Sequence, residues 1–492
     1  MNGSPSLLAQ TRVLAEHAAG IYAGSPVEQA VGAIVARLDE PLRVAVAGKV
    51  KAGKSTLLNS LVGEALAPTD AGECTRIVTW YRNGLTYRAI IERRDGTSMP
   101  ARFSRDTGAL DVHLDGNDPD DVERLIVEWP SSALSAMTLI DTPGIGSLTA
   151  DAQERTRAFL GDDDNLHRGA DAVIYLMRHM HGADARFLEV FHDEHTAATP
   201  INAIGVLSRA DEIGGGRADS LRAAGRIAER YRHDTNIRRL CQTVVPVAGL
   251  LAQLGGTLTE AEFRGVGKLA QLSDDDCEAL LISADRFVSV SSPVGLATEE
   301  REHLIARFGL FGLRLANALI RAGKVSTSRQ LAQELRARSG LDELRRELTT
   351  HFALRRDLLK ARTTLHALAD LVQRYPGPGV DRLAEEVERV EAGAHELAEL
   401  RLLVGVRAGA LALDEDEVTE VERVAGAMAP HPAALLGAPP DSSPRHLRTV
   451  AMAAHDRWAV RAEHPLSSVE VITAARVMQR SYQGILAGLF SD

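Results

Sequence analysis

Short apolar runs, separated by polar and glycine-containing stretches, characterise the first half of the chain. Four of these runs have the length and the Val/Ile/Ala-rich composition of buried β-strands, and they cover residues 42–47, 138–141, 203–208 and 243–247. Further strand-like runs lie between the first and the second, at 76–80, 87–91 and 124–129. The pattern predicts a mostly parallel sheet flanked by helices and enlarged by an insertion.

The rest of the chain shows the spacing of amphipathic helices. Apolar residues recur at helical intervals over residues 6–38, and again over more than two hundred Ala/Leu/Arg/Glu-rich residues in the second half. An N-terminal helix of this kind cannot bury its apolar stripe alone. We therefore predict N-terminal helices that pack on a bundle, an α/β domain, a helical connection below it, and an extended α-helical bundle or stalk, at residues 1–40, 41–254, 255–325 and 326–492.

Two apolar segments raise the question of membrane contact. The stripe of residues 306–319 continues to Ile320, which favours a core helix over insertion into lipid. Residues 429–444 form a Pro-rich loop that is either a surface linker or a bundle tip touching lipid, and the tip would consist of Ala433, Leu435 and Leu436. No run approaches the roughly 20 apolar residues of a membrane-spanning helix, and the N-terminus does not resemble a signal peptide. Any membrane contact is expected to be peripheral.

Composition narrows the function classes. The 492 residues are 45% hydrophobic, enough for a large core in two or more domains. A net charge of −11 argues against a nucleic-acid-binding surface. The three cysteines, Cys74, Cys241 and Cys277, lack both a disulfide framework and metal-ligand spacing. They are expected to be free thiols in a reducing compartment.

The first strand is followed by the pattern G-x-x-x-x-G-K-S at residues 48–55. Backbone N–H groups of such a loop converge on phosphate oxygens at the start of a helix. Lys54 is predicted to reach the β- and γ-phosphates, and the Ser55 hydroxyl to hold Mg²⁺. Half of the six lysines in the chain lie in this loop, which favours a charged ligand. The predicted nucleotide-contacting residues are Gly48, Lys49, Val50, Lys51, Ala52, Gly53, Lys54, Ser55 and Thr56.

Three later strands end in further motifs: D-T-P-G at 141–144, S-R-A-D at 208–211, and V-A-G at 247–249. A P-loop followed in order by these motifs resembles the motif set of GTPases. The Asp211 carboxylate would accept from guanine donors that adenine lacks. Arg209 stands where the GTPase motif has lysine, and its long stem can cover the base while its guanidinium stacks on it. The remaining predicted base-site residues are Ser208, Ala248 and Gly249.

An enlarged G domain followed by a long helical region resembles the dynamin superfamily. Several stretches look like the mycobacterial isoniazid-inducible dynamin-like proteins: KAGKSTLLNSLVG, TDAGECTRIVTW, SRADEIGGGR, RFGLFGLR and RSGLDELRREL. The resemblance covers the G domain strongly and the helical half diffusely. It implies a bacterial dynamin-like GTPase with GTP or GDP and Mg²⁺ as ligands, and with itself and a paired dynamin-like protein as partners. Such a protein would act from the cytoplasm on the inner face of the membrane, in remodelling or maintenance under envelope stress.

The same resemblance assigns roles around the phosphates. Mg²⁺ would be held by Ser55 and Thr75, with Asp141 behind them, and the Gly144 N–H would meet the γ-phosphate. The nearby alternatives to the switch threonine are Thr69 and Thr79.

Two positions bear on the rate of hydrolysis. Ile145 follows D-T-P-G where Ras-type GTPases have a water-positioning glutamine, and Val50-Lys51 replaces the Gln-Ser of well-studied dynamins. Lys51 could place its ammonium where those dynamins bind a monovalent cation, or it could simply face solvent. Without either glutamine, basal turnover should be slow and dependent on self-association.

Two functions remain open on this basis. One is a mechanochemical GTPase that assembles on membrane. The other is a weakly or non-catalytic nucleotide-binding scaffold for a paired dynamin-like protein.

Overall fold

The computed structural model describes residues 6–64, 66–67, 77–104, 110–114, 116–142, 169–178, 202–289, 295–426 and 431–491. The strands in these ranges are β1 Leu42–Gly48, β2 Val78–Asn83, β3 Arg88–Arg93, β4 Ser98–Ser104, β5 Asp111–His113, β6 Val122–Trp129, β7 Met137–Asp141, β8 Ala172–Met177, β9 Ala203–Ser208 and β10 Val244–Val247. They form one sheet of order β10-β9-β8-β1-β7-β2-β6-β3-β4-β5.

The sheet has a parallel half and a mixed half. Strand β1 pairs in parallel with β7 and β8, and β8, β9 and β10 continue in parallel. Every residue of β1, β8 and β9 is buried, which explains their unbroken apolar runs. The inserted strand β2 runs antiparallel to β7, and β3 runs antiparallel to both β6 and β4. The predicted enlargement is thus an added mixed edge.

The helices begin with α1 Leu7–Ile21, α2 Glu28–Arg37, α3 Lys54–Val62 and α4 Ser132–Ser135. After the inserted strands come α5 Ser220–His233, α6 Thr235–Arg238, α7 Gly249–Thr257, α8 Glu260–Leu269, α9 Asp274–Leu280, α10 Ala284–Ser289 and α11 Thr298–Arg321. The C-terminal part contains α12 Ser328–Arg338, α13 Leu341–Leu348, α14 Arg356–Arg374, α15 Val380–Gly393, α16 His395–Arg407, α17 Glu415–Val424, α18 Pro432–Leu436, α19 Pro444–Glu463 and α20 Val469–Ser491. The predicted fold class, a mostly parallel α/β domain plus a large helical region, is confirmed.

Packing crosses the predicted domain boundaries. Helix α1 lies against α14 and α15, so the N-terminal and C-terminal helices share one core. Helix α12 packs along α7, and the Ala248 N–H donates to the Ser339 carbonyl at 2.9 Å. The first helices after residue 326 therefore rest on the α/β domain, and the boundary at 326 stays a prediction.

A buried set of charges joins three parts of the chain. The Arg37 guanidinium, at the end of α2, contacts Asp171 Oδ1 at 2.6 Å, and the side chains are 5% and 0% exposed. The Arg43 N–H donates to the other Asp171 oxygen at 2.8 Å. Burial alone would raise the pKa of Asp171, but the Arg37 charge and the Arg43 N–H lower it. Lys360 of α14 donates to the carbonyls of Arg37, Leu38 and Glu40, and burial lowers its pKa to about 8.

Helix α11 is the apolar segment predicted to be a core helix. Its residues Phe308, Leu313 and Ala316 are buried against α7 and the neighbouring helices, which confirms that prediction. By length and composition alone, this helix could also cross a membrane. The expectation that no run approaches the apolar length of a membrane-spanning helix is therefore wrong. In its most apolar stretch, 44% of the residues are buried inside the protein.

The predicted lipid-contacting tip is wrong for two of its three residues. Residues 432–436 form the short helix α18, and Ala433 and Leu436 are only 1% and 5% exposed. Both belong to the main core, where α18 packs against α17 and α19. Leu435 is half-buried, and its carbonyl accepts from Arg423 Nε at 3.0 Å. Residues 429 and 430 lie outside the described ranges.

The burial of α18 makes Leu436 a stability residue. Leu436→Ala should lower the free energy of unfolding by about 2–4 kcal/mol, because a cavity replaces buried methyl groups. Leu435→Ala in the same helix is the matched control and should cost less than about 1 kcal/mol. Chemical denaturation followed by far-UV circular dichroism measures both. Equal, small losses for the two variants would contradict the packing of α18.

Candidate nucleotide-binding site

The P-loop joins β1 to α3 through backbone that requires glycine. A Cβ on Gly48 would lie 2.6 Å from the Leu176 carbonyl oxygen of β8, closer than real Cβ atoms approach. Gly53 has φ 93° and caps the start of α3 in the left-handed region. Between them the Ala52 N–H donates to the Lys49 carbonyl at 3.0 Å. The loop thus forms a tight turn at the N-terminus of α3, where backbone donors and the helix dipole favour an anion.

Lys54 is held inside this turn. Its Nζ lies 3.4 Å from the Gly48 carbonyl oxygen and close to the Asp141 carboxylate. Burial lowers the pKa of Lys54, and the Asp141 charge partly offsets this. An amine desolvated in this way gains a strong partner when phosphate oxygens arrive, because the new charge pair is formed with little water.

Ser55 and Asp141 form the oxygen-rich end of the site. Ser55 Oγ lies 3.5 Å from Asp141 Oδ2, a long contact, and Asp141 Oδ1 is buried without a hydrogen-bond partner among the described residues. Burial raises the pKa of Asp141 to about 6, against the lowering effects of Lys54 and Ser55. An unpaired carboxylate oxygen beside a hydroxyl suits a hard divalent cation, so these residues fit Mg²⁺.

The structure describes only some of the remaining residues near the predicted phosphate position. Thr75, Thr69 and Gly144 lie outside the described residues. Thr79 is opposite Asp141 in the β2–β7 pair, is 7% exposed, and donates its hydroxyl to the Ile77 carbonyl. Thr142 likewise donates to the Val46 carbonyl at 3.1 Å, which anchors the end of β7 to β1.

The S-R-A-D motif follows β9 and reaches the P-loop. Arg209 has φ 52°, a left-handed conformation, and its guanidinium donates to the Lys51 carbonyl at 3.0 Å and to Glu212 at 2.7 Å. Lys51 itself has φ 61°, and its side chain is exposed. Arg209 therefore ties the base loop to the P-loop backbone, a role that the sequence pattern did not indicate.

Asp211 lies in a short 3₁₀ turn directly after this link and is 5% exposed. Burial raises its pKa to about 6. The Ser208 hydroxyl donates to the Met177 carbonyl at 3.2 Å, so it supports the loop. Asp211 thus has a buried carboxylate at the sheet edge that holds the P-loop.

A cavity of about 120 Å³ brings the two halves together. The residues that line it are Ala52, Gly53, Thr56, Leu57, Leu176, Val206, Ser208, Arg209, Asp211, Glu212, Val247, Gly249 and Leu250. Ala248 is an exception among the predicted base-site residues, because it is 0% exposed and its N–H is taken by Ser339. The lining residues that sequence reasoning did not include are Leu57, Leu176, Val206, Glu212, Val247 and Leu250. For Glu212, the available signal was its position three residues after Arg209.

Guanine-nucleotide affinity should fall as the pH is lowered through about 6. The ionised Asp211 carboxylate is the form predicted to accept from the base, and burial raises its pKa to about 6. Above that pH the affinity should be constant, and below it each pH unit should remove about tenfold, because binding displaces one proton. Calorimetric titration of GDP against pH measures the slope. Asp211→Asn should bind GDP more weakly by about 1–3 kcal/mol and lose the part of this slope that Asp211 contributes, while Asp141, whose pKa is also about 6, keeps its own part. Unchanged affinity in that variant would contradict the assignment.

Comparison with known proteins agrees with this geometry. Residues 44–207, which include the P-loop strand and the strand before Asp211, match the model of the Dynamin family. The isoniazid-induced protein IniC of Mycobacterium tuberculosis is 39% identical over 455 residues, which cover 92% of each chain. A bacterial dynamin-like protein of Nostoc punctiforme is 30% identical over 148 residues, 28% of this chain and 20% of that protein.

Among solved structures, one described as an oligomerised bacterial dynamin pair that senses and tethers membranes covers 98% of this chain and 90% of its own. It is 12% identical, with a TM-score of 0.33. The alignment to IniC, by contrast, is long and runs through both the α/β domain and the helical region. The chain therefore belongs to the bacterial dynamin-like branch of the dynamin family, together with IniC.

Proposed function

We propose that this protein binds GTP or GDP with Mg²⁺ and hydrolyses GTP. The observation that carries the proposal is the convergence of the P-loop, the Asp141 carboxylate and the Asp211 loop at one edge of the sheet. Family membership supports the same reaction.

Each residue has a task that follows from its surroundings. Hydrolysis is an in-line attack of water on the γ-phosphate, so the protein must position groups and neutralise charge. Lys54 meets the β- and γ-phosphates from inside the turn, and Ser55 with Asp141 would hold Mg²⁺. The bound metal would neutralise phosphate charge. Lys51 presents its ammonium from a left-handed position of the same loop. Thr75 and Gly144 complete the proposed set.

We expect slow basal turnover that rises on self-association. Ile145 cannot orient water, and the P-loop lacks the glutamine of well-studied dynamins. The group that orients the attacking water must then come from elsewhere. We propose that the G domain of a second copy of this chain supplies it. The side chain of Lys51 is exposed and would be accessible to such a partner. A paired dynamin-like protein is the alternative occupant.

The proposed site of action is the inner face of the cytoplasmic membrane, with peripheral contact. Family resemblance motivates this part of the proposal. Since Ala433 and Leu436 are buried, the lipid contact is sought instead at the turn between α14 and α15. Tyr375, at this turn, is 43% exposed, and its carbonyl accepts from the Tyr22 hydroxyl at 2.8 Å.

Multiple-turnover phosphate release, with and without anionic liposomes, tests the proposal. The expected result is a low rate for the dilute protein that rises with protein concentration and with liposomes. Lys54→Ala supplies the background, because it removes the phosphate-binding amine. Stoichiometric GTP binding with no phosphate release above that background, at any protein concentration, would overturn the proposed GTPase activity. It would favour a non-catalytic nucleotide-binding scaffold.

A further inference from the structure

Helix α11 lies against the outer side of the base cavity, although it comes about a hundred residues after the S-R-A-D motif. It packs on α7, whose first residues Gly249 and Leu250 line the cavity. It also contacts the 3₁₀ turn that holds Asp211. One helix from outside the nucleotide-binding segments therefore touches both walls of the cavity.

A break in α11 lies beside both Leu250 and Asp211. Gly309 has φ 63° and ψ 172° inside an otherwise helical segment. A Cβ at this position would lie 3.3 Å from Leu250 Cδ1 and 3.9 Å from Asp211 Oδ2. The left-handed φ favours glycine, and the missing side chain lets α11 approach the base-recognising carboxylate.

Arg314 of α11 holds the end of the same loop. Its Nη1 donates to the Gly216 carbonyl at 2.5 Å, and its Nη2 donates to the Leu281 carbonyl at 2.6 Å. The segment between Asp211 and Gly216 includes Gly214 and Gly215, both with positive φ, while Ile213 packs against the neighbouring core. The forked guanidinium thus supplies a further anchor at the glycine-rich end of this loop.

We propose that Arg314 and Gly309 are positioning residues for guanine recognition, through which α11 keeps the Asp211 carboxylate aligned with two donors of the base. The inference rests on the proposed function, because it assumes that guanine occupies this cavity. It adds that selectivity for the base depends on a helix of the connecting region, and that a shift of α11 changes nucleotide affinity.

Binding of GDP and IDP to the full-length protein tests this. Hypoxanthine lacks the 2-amino group of guanine, so the GDP-to-IDP affinity ratio reports how well Asp211 is aligned. Arg314→Met should lower GDP affinity about tenfold and IDP affinity much less, so the GDP-to-IDP affinity ratio falls. Arg314→Lys, which keeps the charge and can donate to one carbonyl, should restore part of the ratio. Gly309→Ala should also lower the GDP-to-IDP affinity ratio.

Arg321 provides the matched control. It lies on the same helix and donates to the carbonyls of Ala270 and Leu272, away from the cavity. Arg321→Met should leave the GDP-to-IDP ratio unchanged even if the protein becomes less stable. An unchanged ratio in Arg314→Met, or an equal narrowing in Arg321→Met, would overturn the inference. Failure of the parent protein to prefer GDP over ADP would instead overturn the proposed function.

Discussion

Lys54→Ala should lose nucleotide binding while the protein stays folded. The amine lies inside the P-loop turn, 3.4 Å from the Gly48 carbonyl oxygen, where it can pair with phosphate in a largely dehydrated space. Removing one partner of such a charge pair costs about 3 kcal/mol or more, which is a loss of affinity of at least about a hundredfold. Fluorescent GDP titration measures the affinity, and circular dichroism checks the fold.

A matched control is Lys324→Ala, which removes an exposed lysine of the helical region. It should bind GDP as the parent does. A second readout comes from Asp141, because the Lys54 charge lowers its pKa in the parent. In Lys54→Ala the pKa of Asp141 should therefore rise further. Parent-like GDP binding by Lys54→Ala would remove the P-loop from the binding site.

Lys51→Ala should spare nucleotide binding and lower the rate of GTP hydrolysis about a hundredfold, the usual effect of losing one transition-state donor. The backbone of Lys51 is left-handed, and its carbonyl is held by Arg209 at 3.0 Å. Alanine, like lysine, is an L-residue with a Cβ at this left-handed position, and the substitution removes the ammonium together with its exposed methylene stem. Single-turnover phosphate release measures the chemical step, and a potassium titration tests whether an external cation replaces the lost charge.

Lys51→Arg is the comparison that separates charge from geometry, since it keeps a cation at the same loop position. Partial activity in Lys51→Arg, together with potassium-dependent recovery in Lys51→Ala, is the expected pattern. Hydrolysis by Lys51→Ala at the parent rate without added potassium or sodium would mean that Lys51 only faces solvent.

Much of the candidate nucleotide site could be predicted because its parts are local. A glycine-rich turn between a buried strand and a helix can be recognised from eight consecutive residues. The carboxyl ends of parallel strands meet at one sheet edge, so Asp141 and the Asp211 loop had to lie near the P-loop. The fold class follows from the same alternation of strands and helices, and the order of the strands agrees with it.

The remaining features depend on contacts between distant parts of the chain. Arg314 lies 98 residues from Gly216, and no periodicity links the two. The α18 helix has five residues, too few for an amphipathic period to identify its buried face, so Ala433 and Leu436 were mistaken for exposed residues. Ala248 was predicted as a base-site residue, although its N–H donates to the carbonyl of Ser339, some ninety residues away at the C-cap of α12.

The buried contact of Arg37 with Asp171 makes separation of α2 from the sheet costly and so limits where this molecule can bend. Pulling α2 from β8 would strand a dehydrated carboxylate, at a cost of about 3–5 kcal/mol, and lifting α14 would strip Lys360 of three carbonyl partners. The sheet, the N-terminal helices and the start of α14 are thus joined by buried contacts that are costly to break. Bending within the helical region is therefore expected beyond this contact, first at the turn between α14 and α15 and then at Ala394, where extended backbone separates α15 from α16.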